Sequence, residues 1–156
     1  MPKLTVQFAK KTNLAAILKL FKRSVLAIDE SHYTLAQKKA WAKSSENIAR
    51  WKTAIENQFF LLAYIEQELV GFIALENNKH IDLIYVCPLH SRMGIAQELI
   101  NLVEKQANYH RSSELTADVS KAAITFFQKN GFQIITENHN KRYGEILVNY
   151  SVSKKL

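Results

Sequence analysis

Cysteine is almost absent from this 156-residue chain: Cys87 stands alone, and a lone thiol closes no internal disulfide. That agrees with a reducing compartment. The five histidines are scattered, with no cysteine pair to join them, so no metal is expected. No window has the apolar length of a membrane span, and the opening MPKLTVQFAKK lacks the hydrophobic region of a signal peptide. A cytoplasmic location without membrane contact is the resulting expectation. Internal repeats, low-complexity tracts and linkers are also missing, as is any arginine-rich run. The basic residues come in short pairs such as Lys10–Lys11, Lys22–Arg23, Lys38–Lys39 and Lys154–Lys155. Nucleic acid is therefore disfavoured as a partner despite a formal charge of +7. The same positive field suits a small anionic ligand.

What is present is a chain 47% hydrophobic and 22% charged, enough for one domain over residues 1–156 with a full core. Leu4, Val6 and Phe8 alternate as in a strand. Thr12 is a candidate N-cap for a helix with Leu14, Ile17, Leu18, Phe21 and Val25 on one face. Residues 27–33 read as a loop. Thr34 caps a helix through Trp41, and Ser44 or Ser45 caps another through Ile48, Trp51 and Ile55. Three strands follow as a meander, Phe59–Glu66, Leu69–Glu76 and Ile81–Val86. A helix from Gly94 to about Asn108, a strand Leu115–Val119 and a helix Ala122–Lys129 come next, the last closed by Asn130 and Gly131. Two strands, about Phe132–Glu137 and Glu145–Val152, end the chain around a polar turn at Asn138–Gly144. This order predicts an α/β protein, a mixed sheet flanked by helices.

The most informative stretch is His80–Ile100, HIDLIYVCPLHSRMGIAQELI. A strand feeds a glycine-marked turn and then a helix, an arrangement able to hold a phosphate. The first helical N–H groups are free, the helix dipole is positive there, and glycine lets an anion approach the backbone. Arg92 adds a full charge and a forked donor. Taken alone, the same pattern also describes an ordinary strand-to-helix connection with a surface arginine.

The stretch resembles the acetyl-CoA-binding signature of the GNAT superfamily of N-acetyltransferases, in which a strand ending Val-x-Pro precedes Arg/Gln-x-x-Gly-x-Gly/Ala at a helix start. Val86, Pro88, Gly94 and Ala96 match, with Arg92 and Met93 between; Ser91 stands where the family has Arg or Gln. A second family pattern, Asn-x-x-Ala-x-x-Phe-Tyr-x-x-x-Gly-Phe, is met by Ser120, Ala123, Phe126, Phe127, Gly131 and Phe132, with Ser for Asn and Phe127 for Tyr. The resemblance is clear over Phe59–Phe132. It implies a mostly antiparallel sheet of six or seven strands, splayed between the strand ending at Val86 and that at Leu115–Val119. It implies acetyl-CoA as cosubstrate, held by the backbone of Ser91, Arg92, Met93, Gly94, Ile95 and Ala96. Ile84, Tyr85 and Val86 would pair with the pantetheine arm, and Ser120 and Phe127 would lie near it.

Acetyl transfer to an amine also needs a proton acceptor. His80 and Asp82, two apart on one strand and hence on one face, are the candidates, against the alternative of two solvated residues beside the Asn77–Lys79 turn. The tyrosine that often protonates the thiolate in the family falls on Phe127, so Tyr33, Tyr85 or a water would have to replace it. Cys87 as a nucleophile has no histidine fixed by spacing. Acceptor recognition would fall in residues 27–51. The reading is an N-acetyltransferase acting directly on a primary amine of a small molecule or peptide, able to pair as a homodimer. A catalytically impaired acyl-CoA-binding module and a basic nucleic-acid-binding domain are the competing readings.

Overall fold

The computed structural model describes residues 3–156. Its strands are β1 Leu4–Phe8, β2 Phe59–Ile65, β3 Glu68–Glu76, β4 His80–Val86, β5 Glu114–Ser120, β6 Gln133–Arg142 and β7 Glu145–Lys155. Its helices are α1 Leu14–Leu26, α2 Leu35–Ala42, α3 Ile48–Asn57, α4 Ile95–Tyr109 and α5 Ile124–Lys129. The strands form one seven-stranded sheet in the order β1-β2-β3-β4-β5-β7-β6. Every neighbouring pair is antiparallel except β4 with β5.

Alternation along β3 distributes the core between two faces. Phe72 points to one side, where its ring meets Trp51 of α3, Phe60 of β2 and Tyr85 of β4, with Phe21 of α1 against Trp51 and Tyr85. Gly71, its neighbour, points to the other. A Cβ there would sit 2.9 Å from Ile95 Cγ2 and 3.5 Å from Leu99 Cδ1, so the missing side chain lets α4 lie close against the sheet.

Two irregularities shape the centre. Ala74 pairs with Leu83 but Leu75 pairs with Ile81, so β4 carries an extra residue, Asp82, in a bulge. The parallel pairing of β4 with β5 consists of His80 with Thr116 and Ile81 with Ala117 alone, after which the strands diverge. β5 remains paired along its length with β7. The sheet is thus open between β4 and β5, as the family resemblance implies.

Several local expectations are corrected. Thr12 does not cap α1; it lies within a 3-10 turn, Lys11–Asn13, and Asn13 precedes the helix. Asn47, not Ser44 or Ser45, caps α3, its side chain accepting from Arg50 N. Thr34 does cap α2, through the reciprocal bonds Gln37 N to Thr34 Oγ1 and Thr34 N to Gln37 Oε1. The largest correction concerns Asn138–Gly144. Most of it belongs to β6, and the turn is Tyr143–Gly144, both with positive φ (48° and 81°). Polar side chains at Asn138 and Asn140 mimic turn composition, but they are polar because of what they face. The loop before α2 is secured by Lys38, whose buried Nζ donates to the carbonyls of Leu26 and Ile28 (3.2 and 2.7 Å).

Candidate active site

The route from β4 to α4 passes through Cys87, a 3-10 turn at Pro88–His90, and a loop in which Arg92 and Gly94 both take positive φ (63° and 78°). Nothing lies within 4 Å of where a Gly94 Cβ would be, so the glycine serves its backbone conformation and the open space in front of it. Ser91 N donates to Pro88 O, and the first bond of α4 runs from Glu98 N to Gly94 O (3.0 Å). Among the described residues, the backbone N–H groups of Arg92, Met93, Gly94, Ile95, Ala96 and Gln97 have no backbone acceptor. Six unpaired donors at a helix start form an anion cradle. On the same connection Cys87 Sγ and a ring nitrogen of His90 come within 4.8 Å of each other and of a carboxylate oxygen of Glu68.

Beyond His80 and Ile81 the splay leaves the facing edges of β4 and β5 without strand partners. A narrow cleft of about 70 Å³ runs between them, walled by Ile84 and Tyr85 on one side, Val119 and Ser120 on the other, and Phe127 of α5. It opens into a cavity of about 550 Å³, with Trp41, Asp82, Tyr85, Asp118 and Ser120 common to both.

The sequence-derived candidates fall unevenly around this space. Asp82 lines it, but both carboxylate oxygens are engaged: Oδ1 by Arg50 Nη2 at 2.8 Å and Oδ2 by Gln58 Nε2 at 2.9 Å. His80 does not reach the cavity wall; its Nδ1 is 2.7 Å from Thr116 Oγ1, in the first of the two closed pairs between β4 and β5. Tyr33 is buried beside the cavity, donating to Val148 O (2.6 Å) and accepting from Lys121 N (2.9 Å). Burial raises its phenol above the ordinary value of 10. Tyr85 is raised further, again by burial. Ser120 Oγ accepts from Ala123 N (3.2 Å), and Phe127 is packed edge-on against Phe126 and Phe132. Of the three catalytic candidates, then, none presents an unengaged group to the cavity.

Several wall residues were not singled out from sequence. Asn149 Oδ1 accepts from both Asn138 Nδ2 and Asn140 Nδ2 (3.0 Å each). Asn138 Nδ2 also reaches Ser151 Oγ (2.9 Å), which donates to Asp118 Oδ1 (2.6 Å). The result is a continuous side-chain ladder across β6, β7 and β5. Its signal was present as polar residues spaced by two, Asn138 with Asn140 and Asn149 with Ser151.

Residues 29–154 match the family model described as an acetyltransferase (GNAT) domain. The chain belongs to the GNAT acetyltransferase family. It is 32% identical over 136 residues to an uncharacterized N-acetyltransferase of Escherichia coli K12, YafP, covering 87% of this chain and 85% of that one. A crystal structure of a GCN5-related N-acetyltransferase from Rhodopseudomonas palustris superposes over 100% of this chain and 96% of its own, with TM-score 0.92 and 29% identity. The PaiA N-acetyltransferase of Thermoplasma acidophilum, solved with coenzyme A, shares the fold at TM-score 0.80 and 18% identity over 99% of both chains.

As a GNAT protein the chain is an acetyl-CoA-dependent N-acetyltransferase, with acetyl-CoA as cosubstrate. Its residues fit that cosubstrate: free N–H groups suit a pyrophosphate, and the unpaired edge of β4 suits an extended amide-bearing arm. The carbonyl of Val86 is already taken by Ser24 Oγ (3.0 Å). Among the described residues no helix is long and apolar enough to cross a membrane.

Proposed function

We propose that this GNAT enzyme transfers the acetyl group directly to a primary amine of a small molecule or peptide bound in the cavity of about 550 Å³. The observation that carries the reading is the junction itself. An N–H cradle follows the strand that walls the splayed cleft, and the cleft opens into a polar chamber, an arrangement that supports a thioester and an amine meeting there. In this reading the backbone from Ser91 to Ala96 holds the pyrophosphate. Ile84, Tyr85 and Val86 align the pantetheine arm, and Ser120 and Phe127 close the far side of the cleft.

Asp82, fixed by Arg50 and Gln58, is a positioning residue here, since both of its oxygens are already engaged by these two side chains. His80 ties the closed end of β4 and β5 through Thr116, and Tyr33 ties the β5–α5 junction to β7. Phe127 offers no proton to the leaving sulfur. A thiol of ordinary pKa about 8.5 leaves tolerably as thiolate, and general acid help is worth about 10²–10⁴-fold rather than the whole acceleration.

Calorimetric titration with acetyl-CoA, followed by thiol-release assays over amines, amino acids, polyamines and peptides, tests the reading. Binding with turnover is the expected result. Binding with no turnover on any amine favours the impaired acyl-CoA-binding module that Phe127 and Ser91 suggest. Absence of binding overturns the reading.

A further inference from the structure

Two ionic side chains on the cavity wall have no ionic partner among the described residues: Asp118 of β5 and Arg142 at the end of β6. The other charged pair on that wall, Asp82 with Arg50, is internally neutralised at 2.8 Å. Asp118 uses one oxygen to accept from Ser151 Oγ at 2.6 Å, and its second oxygen has no hydrogen-bond donor. It lines both the narrow cleft and the cavity, as Asp82 does, and is exposed where Asp82 is tied down. Towards Arg142 the charge is positive. Lys43 Nζ stands 5.1 Å from the ring centre of Tyr143, which lines the cavity beside Arg142, and the carboxylate nearest in the strand register is Glu145, opposite Arg142, so these groups carry two positive charges to one negative. One unpaired carboxylate at the cleft therefore faces an excess of cations elsewhere around the chamber.

We infer that Asp118 receives the acceptor's ammonium group, and that the acceptor is an amine carrying an anionic group at its far end, of the size of an amino acid or short peptide. This rests on the proposed acetyltransferase reading and names its substrate class. A polyamine would set its second ammonium against Arg142 and Lys43, whereas a carboxylate or phosphate there is attracted.

The chemistry balances. The nitrogen begins as an ammonium with three protons and ends as an amide with one. One proton passes to the free oxygen of Asp118, directly or through water, and on to solvent. The freed lone pair forms the bond to the thioester carbonyl carbon, the carbon–sulfur bond breaks, and the second proton ends on the departing sulfur. Ser151 and the amides behind it hold the carboxylate in place.

The test compares a dipeptide with a free carboxylate, the same dipeptide as its C-terminal amide, phosphoserine and spermidine as acceptors, with acetyl-CoA titration as the control for an intact fold. Asp118→Asn is expected to lower kcat/KM by about 10²-fold or more, with acetyl-CoA affinity unchanged. Asp118→Glu, which keeps the carboxylate, recovers part of that loss. Wild type is expected to favour the anionic acceptors over the amide and spermidine by about tenfold, and Arg142→Ala to erase the preference. Near-wild-type turnover in Asp118→Asn, preference for spermidine or the amide, or acetyl-CoA binding with no acetylation of any anionic acceptor would each overturn the inference. Failure of wild type to bind acetyl-CoA would instead remove the acetyltransferase reading beneath it.

Discussion

The two ends of the cleft are built from different parts of the polypeptide. At α4 the groups available to a ligand are main-chain N–H donors, set by the positive φ of Arg92 and Gly94 and by the absence of a side chain at Gly71. At β6 and β7 they are side-chain amides, a hydroxyl and a carboxylate, locked to one another across three strands. Backbone donors persist whatever side chains they carry, which is why Ser91 can replace Arg or Gln without removing the cradle. Side-chain donors change with each substitution. The first end suits a cosubstrate common to a family, and the second suits an acceptor that differs between members.

Substitutions at the two ends should therefore separate. Gly71→Val should act most strongly, because a Cβ 2.9 Å from Ile95 Cγ2 and 3.3 Å from Tyr85 O must displace α4 or β4. An overpacking loss of about 1–3 kcal/mol is expected in chemical denaturation, with weakened acetyl-CoA binding because α4 carries the cradle. Unchanged stability would show that α4 is free to move. Gly94→Val comes next. There is space for the side chain, so only the left-handed backbone is opposed, at a cost of about 1–2 kcal/mol. In calorimetry that should appear as roughly 5- to 30-fold weaker acetyl-CoA binding, with the acceptor KM little altered. Asn149→Ala should have the smallest effect and the opposite sign of selectivity. Loss of the shared acceptor of Asn138 and Asn140 costs about 1 kcal/mol, read as a severalfold rise in acceptor KM at constant acetyl-CoA affinity. A change in acetyl-CoA affinity there would dissolve the division between the two ends.

The same division explains what was legible in the sequence. The cradle could be read because glycine at a strand-to-helix turn has few other uses, and because Val86, Pro88, Gly94 and Ala96 keep a fixed spacing. The strands up to β5 were legible from alternation at Leu4–Phe8 and from the apolar runs after Phe59. The acceptor side was obscured for a physical reason: Asn138 and Asn140 lie in a strand whose inward face meets a polar cavity, and polar alternation without an apolar face resembles a turn. The engagement of Asp82 was equally hidden. Arg50 and Gln58 are 32 and 24 residues away in sequence, and only the packing of α3 against the sheet, with the bulge in β4, brings them to one carboxylate. Spacing identified Asp82 as a carboxylate near the cleft but not that its oxygens were spoken for. Asp118 looked like an ordinary polar residue of a short strand until the splay exposed it.

The hairpin of β6 and β7 closes on two residues, Tyr143 and Gly144, and β6 is the edge strand of the sheet formed by the described residues. A terminal hairpin of this kind is open to heritable change. If the proposed acceptor chamber is the right one, exchanges along the hairpin's inward face would redraw it while leaving α4 and its loop unchanged, so that acceptor specificity could be revised in one ribbon rather than in the catalyst as a whole.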